Sequence, residues 1–132
     1  MKRVVIDTNI LISSTLSSEG SPAKIMNLVS DKQIQLFLCA EILDEYKRVL
    51  AYEKLNISLQ MQEKVMAAIE KLGIIVEPAL SEIPLPDETD RIFYDTAISS
   101  ESILITGNSK HYPSEPIIMT PSDFLIKFEQ KN

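Results

Sequence analysis

The sequence predicts an α/β fold with three layers: a mostly parallel central sheet of about five strands, and helices on both of its faces. Three observations predict it. Short apolar, β-branched runs alternate with longer stretches of helical periodicity along the chain. Those runs are continuously apolar rather than alternating, as in strands covered on both sides. At 132 residues, with 45% hydrophobic and 24% charged residues, the chain can build one core but not two. Residues 1–132 are therefore expected to form a single domain.

Residues 3–6 (Arg3-Val4-Val5-Ile6) form the first expected strand. Ser21-Pro22 opens a helix, Ser as N-cap and Pro in the first turn, carrying Ile25, Met26, Leu28 and Val29. Residues 34–39 read as the second strand. Residues 41–52 are helical, with Ile42, Leu43, Tyr46, Val49 and Leu50 on one face. Residues 58–72 form another amphipathic helix, which Gly73 ends as a C-cap glycine. Residues 73–76 feed a third strand, and residues 81–88 make a polar, proline-containing loop. A helix follows over 88–100, a fourth strand over 102–106 and a fifth over 116–120. Thr120-Pro121-Ser122-Asp123 then caps a last helix through residue 129.

Composition narrows the function. The net charge of −6 argues against a binder that works by neutralising phosphates. That objection weakens if some of the acids hold cations, which present a positive face to phosphate. Three glycines exclude GxGxxG and Walker A loops. Cys39 is the only cysteine, which rules out an intramolecular disulfide, and it reads as a core residue. A Ser-His or Cys-His nucleophile would depend on the single histidine, His111, in a polar loop. The opening apolar run is broken by Asp7-Thr8-Asn9, unlike an export signal, and no run is long enough for a membrane span. A cytoplasmic location is expected.

In open parallel sheets, sites lie at the carboxyl ends of the strands. Asp7 follows the first strand and Asn108 the fourth, so neighbouring strands would project both into one crevice. Asp7 also reads as a helix N-cap, and Asn108 as a turn residue after Gly107. Glu45 flanks the apolar face of its helix, while Asp44 points away; Glu45 also reads as a solvated charge paired with Arg48. Asp87, Glu88, Asp90 and Asp95 crowd the start of one helix, where negative charge is favourable in itself and Asp87 suits the cap. Asp90 and Asp95 lie about 140° apart around the axis, so only one of them can be a ligand for a given metal. Clustered carboxylates without a His or Cys cluster suit Mg²⁺ or Mn²⁺.

Four segments, in this order, resemble the PIN domains: Val4-Val5-Ile6-Asp7-Thr8-Asn9-Ile10-Leu11, Glu45-Tyr46-Lys47-Arg48-Val49-Leu50, Asp90 with its helix, and Leu104-Ile105-Thr106-Gly107-Asn108. The run from Thr106 to Pro113 is similar to the bacterial subgroup of toxin components of toxin–antitoxin pairs. The resemblance implies a Rossmann-like sheet and an acidic pocket binding Mg²⁺ or Mn²⁺ that hydrolyses RNA to a 5′-phosphate and a 3′-hydroxyl. Asp7, Glu45 and Asp90 match its first three acids. Asn108 stands where the fourth acid is usual, a neutral donor that would hold a second metal less tightly; Asp87 or Asp95 would have to compensate. Thr8, Asn9 and Thr106 would orient the ligands, and Arg91 or Lys110 would hold the RNA backbone. A small antitoxin and a homodimer are the implied partners, with no membrane. Two other readings stand beside the nuclease. One is a catalytically weak RNA- or antitoxin-binding module. The other is a phosphatase or phosphoacceptor domain, which would need a lysine after a late strand where this chain has Gly107-Asn108, with Lys110 further on.

Overall fold

The computed structural model describes residues 1–131. Five strands and six helices alternate: β1 (Lys2–Ile6), α1 (Thr8–Leu16), α2 (Ser21–Ser30), β2 (Ile34–Leu38), α3 (Ala40–Leu50), α4 (Leu59–Leu72), β3 (Ile74–Ile75), α5 (Arg91–Ser99), β4 (Ile103–Ile105), β5 (Ile118–Met119) and α6 (Pro121–Lys131). The sheet runs β3-β2-β1-β4-β5, and every neighbouring pair is parallel. The chain builds outward from β1 to β2 and β3, then crosses to the other side for β4 and β5. Right-handed crossovers in opposite directions put their helices on opposite faces, giving the expected three layers. The reversal lies between β1 and β4, where ligand crevices form in open α/β sheets.

The apolar runs fill the centre as double-sided burial requires. Val4, Val5, Ile6, Leu36, Leu38, Leu104 and Ile105 are all buried. Each such side chain contributes about 1.5–3 kcal/mol on leaving water. Arg3 covers the rim, stacking 4.2 Å over the Phe37 ring while its Nε donates to the Ser100 carbonyl.

The structure departs from the expected boundaries in informative places. Residues 8–16 form a full helix, α1. Gly20, not Ser21, occupies the N-cap of α2, with φ of 96°, a left-handed backbone that favours glycine. The strand expected over 34–39 ends at Leu38, leaving Cys39 buried at the N-cap of α3. The helix expected over 88–100 begins as a 3-10 turn, Glu88–Asp90, before α5.

Gly73 does end α4, but at φ of −89°, which any residue adopts. The demand for glycine is spatial: a Cβ there would stand 2.3 Å from Leu38 Cδ1 and 3.1 Å from the Ile69 carbonyl. Leu38 is fully buried and cannot swing away. Gly73→Ala is expected to lower unfolding free energy by about 1–3 kcal/mol in urea titrations. Gly107, where a Cβ meets nothing within 4 Å, is expected to accept alanine within about 0.5 kcal/mol.

Candidate functional site

Pairing of Ile6 with Ile105 brings the residues that follow β1 and β4 together. The Asp7 amide donates to the Ile105 carbonyl at 3.0 Å. Asp7 takes the N-cap position of α1, yet its side chain makes no capping bond. Its Oδ2 instead accepts from Thr106 Oγ1 at 2.7 Å and lies 3.3 Å from the Tyr112 hydroxyl. Thr106 is fully used, since its Oγ1 also accepts from the Asn108 amide at 3.0 Å. Burial raises the Asp7 pKa, and the bonds from Thr106 and Tyr112 offset part of that rise. The Tyr112 phenol is pushed far above its ordinary range by burial and by the charges of Asp7 and Asp90, so it stays a donor.

Glu45 reaches this crevice from α3. Its Oε2 accepts from Thr8 Oγ1, and its Oε1 lies 3.6 Å from Arg48 Nη2. The next residue, Tyr46, is buried and donates its hydroxyl to the Ile6 carbonyl, the last of β1. That bond pins α3 against the carboxyl end of the central strand and fixes where Glu45 stands.

Asp90 ends the 3-10 turn that leads into α5. Its Oδ2 is buried and lies 3.3 Å from His111 Nδ1, outside good hydrogen-bond geometry. Burial, and then the charges of Asp7 and Asp87, raise the Asp90 pKa, and the imidazole is close enough to lower it in part. The other acids of this segment are occupied elsewhere. Asp87 is exposed and caps the turn, accepting from the Thr89 amide at 2.9 Å and hydroxyl at 2.8 Å, which lowers its pKa. Asp95 is buried on α5; its Oδ2 accepts from the Ser81 amide at 3.1 Å, while its Oδ1, like Asp90 Oδ2, is buried without a hydrogen-bond partner. Neither is arranged to compensate for Asn108.

Arg91 is likewise committed. It makes paired bonds to Glu88 and further bonds to Ser81 and to the Ile83 carbonyl, fastening the 81–88 loop onto α5. The expectation that it holds an RNA backbone is replaced by this clamp. Asn108 and Lys110 are exposed after β4, and Asn9 is exposed on the first turn of α1. Tyr112 and Tyr46 were not among the expected site residues. The available signals were an aromatic inside the polar run Lys110-His111-Tyr112-Pro113 and a tyrosine beside Glu45.

The structure thus sets Asp7 and Asp90 within reach of each other's charge and anchors Glu45 beside Thr8. Among the described residues, no three His, Cys, Asp or Glu side chains converge closely enough to hold a metal ion in this arrangement. The donor chemistry nevertheless fits a hard cation. Both carboxyls are desolvated, and the charge of Asp7 further disfavours ionisation of Asp90, one of whose oxygens is buried and faces His111. A divalent ion between them removes both penalties.

A family model described as PIN domain matches residues 3–110. A relative from Methanocaldococcus jannaschii, described only as an uncharacterized protein, is 29% identical over 143 residues, covering 97% of this chain and 92% of its own length. No solved structure gives a significant match.

The buried Asp7 carboxylate makes a prediction about stability. Its pKa is raised on folding, so the folded chain favours the protonated form. The cost of the carboxylate is absent below the unfolded pKa, grows as pH rises and is complete above the folded pKa. In EDTA at pH 7, Asp7→Asn is expected to unfold about 0.5–2 kcal/mol less readily than the parent. The gain should vanish near about pH 3, where aspartate is mostly protonated even when unfolded. Thermal melts of both proteins across this range check it.

Proposed function

Since the chain belongs to the PIN domain family, we propose that it is a divalent-metal-dependent ribonuclease whose reaction site is the crevice between β1 and β4. PIN domains are generally nucleases and typically use divalent metals. The observation that carries the reading is the pair Asp7 and Asp90. They are two partly or wholly desolvated carboxyls from distant segments, each raised in pKa, one with a buried oxygen left unbonded.

Asp7, Asp90 and Glu45 are the candidate ligands for Mg²⁺ or Mn²⁺, with Asn108 offering a neutral carbonyl oxygen where a fourth acid would add charge. A bound divalent cation supplies positive charge that polarises a scissile phosphate and acidifies water. The protein's own part is positioning. Thr106 and Tyr112 hold one oxygen of Asp7 and leave the other available. Thr8 holds Glu45, and Tyr46 holds the helix that carries it. Asn9, on the first turn of α1, is the remaining candidate for orienting the ligands. Hydrolysis at this crevice leaves a 5′-phosphate and a 3′-hydroxyl.

The choice of RNA as substrate rests on the resemblance to the PIN domains as a whole, and a toxin's role opposite a small antitoxin in a homodimer on the resemblance of the segment from Thr106 to Pro113. The archaeal relative, uncharacterized as it is, adds nothing to that part. One observation favours a second reading, a PIN-like binding module without turnover. The acids do not close into a group of three, and Asn108 subtracts a charge.

Cleavage of labelled single-stranded RNA with Mn²⁺, Mg²⁺ or EDTA separates the two. The nuclease reading expects cleavage with metal and none in EDTA. Asp7→Asn and Asp90→Asn should each lose more than the about 10–100-fold typical of residues that orient metal ligands. Thr106→Val should fall within that about 10–100-fold range. RNA that stays intact with either metal, while still being bound, establishes the binding module instead.

A further inference from the structure

Beyond the acid crevice, one exposed cluster combines the two chemistries that hold single-stranded nucleic acid, an aromatic face and flanking cations. Tyr52 follows the C-terminus of α3 and is 39% exposed. The Arg48 guanidinium lies 5.8 Å from the centre of its ring, and the Lys54 ammonium lies 6.0 Å from it. Arg48 Nη1 also donates to the Tyr52 hydroxyl. These ring distances are at the outer limit of cation–π contact, about 6 Å. Both cations lie over the ring but at that outer limit, a loose contact that a stacking planar group can displace.

The cluster is held by backbone rather than by chance side-chain contact. Tyr52 N donates to the Val49 carbonyl at 3.1 Å, and Leu55 N donates to the Tyr52 carbonyl at 3.1 Å. Lys54 rides on the 3-10 turn Glu53–Leu55, pinned by Leu55 against the core and closed by Asn56 in a left-handed conformation at φ of 52°. Glu53 is the acid within that turn. In a chain of net charge −6, this positive, aromatic surface stands against the general field.

Its position relative to the acids is the stronger argument. Glu45 and Arg48 fall at i and i+3 on one stripe of α3, and Tyr52 lies two residues past the end of that helix. At about 1.5 Å per residue, the end of α3 at Leu50 stands roughly 7.5 Å along the axis from Glu45, and Tyr52 lies beyond it. The α3 helix packs on α1 and α5 and is tied by Tyr46 to the end of β1, so the stripe leads outward from the crevice.

We propose that Arg48, Tyr52 and Lys54 form the landing surface for single-stranded RNA on its way to the crevice: one base stacks on Tyr52, and the neighbouring phosphates rest on Arg48 and Lys54. The proposal rests on the nuclease reading for its direction but is tested by binding alone. Duplex RNA, with its bases already stacked, cannot use the ring.

The test is fluorescence anisotropy in EDTA with a labelled, unstructured 12-nucleotide RNA and a duplex of the same sequence. Arg48 touches Glu45, so Tyr52 and Lys54 are the variants of choice. Tyr52→Ala is expected to weaken single-strand binding about tenfold, whereas Tyr52→Phe keeps the ring and stays within about twofold of the parent. Lys54→Ala should reduce the salt slope by about one. Single-strand affinity unchanged in Tyr52→Ala, or lost equally for duplex, overturns the proposal. So does a parent protein that binds no RNA but binds oligoglutamate through Arg48 and Lys54, the result that identifies an acidic protein partner. Tyr52-dependent binding with no metal-dependent cleavage keeps the landing surface and removes the nuclease.

Discussion

Parallel pairing of β1 with β4 is the constraint on which the site depends. It sets Ile6 beside Ile105, so the next residue of one strand, Asp7, meets the next residue of the other, Thr106, across 2.7 Å. Both are buried. A carboxyl at that depth is costly in its charged form, and the hydrogen bonds from Thr106 and Tyr112 offset the cost only in part. Other site contacts either meet at this point or hold something that does. Tyr46 fastens α3 to the Ile6 carbonyl, and Thr8 steadies Glu45.

The approach of Asp90 from the other side has its own support. The chain between β3 and α5 has little regular structure, yet it must deliver an acid to the crevice. Arg91 and Asp95, both on α5, seize Ser81 from two directions, and Arg91 also grips Glu88 and the Ile83 carbonyl. Charged residues that sequence spacing offers as ligands or phosphate contacts are consumed in bracing the loop. That division of labour leaves Asp90 with a buried oxygen that faces His111 without a well-formed hydrogen bond, where a bound cation would offset the cost of its burial.

Much of the architecture was legible because strands buried on both faces must be continuously apolar, and Val4-Val5-Ile6 and Ile103-Leu104-Ile105 are. The same pattern points to the candidate site, since polar residues come directly after those strands. Helical spacing separated Asp90 from Asp95 but could not say which one faced the crevice; that depends on the bond between Asp95 and Ser81, fourteen residues apart in sequence. Tyr112 stayed hidden for a similar reason. Its partner Asp7 is 105 residues away, and nothing local marks an aromatic in a polar loop as buried. The role of Gly73 was misread as conformational because the crowding by Leu38 is a tertiary contact.

On the proposed function, Asp7 and Asp90 together hold a divalent cation. Anomalous diffraction from crystals soaked in Mn²⁺ tests it most directly. The claim requires a manganese peak in contact with both carboxylates, with Glu45 or a water between Glu45 and the ion completing the set. Manganese bound at other surface carboxylates while the space between Asp7 and Asp90 stays empty would contradict it.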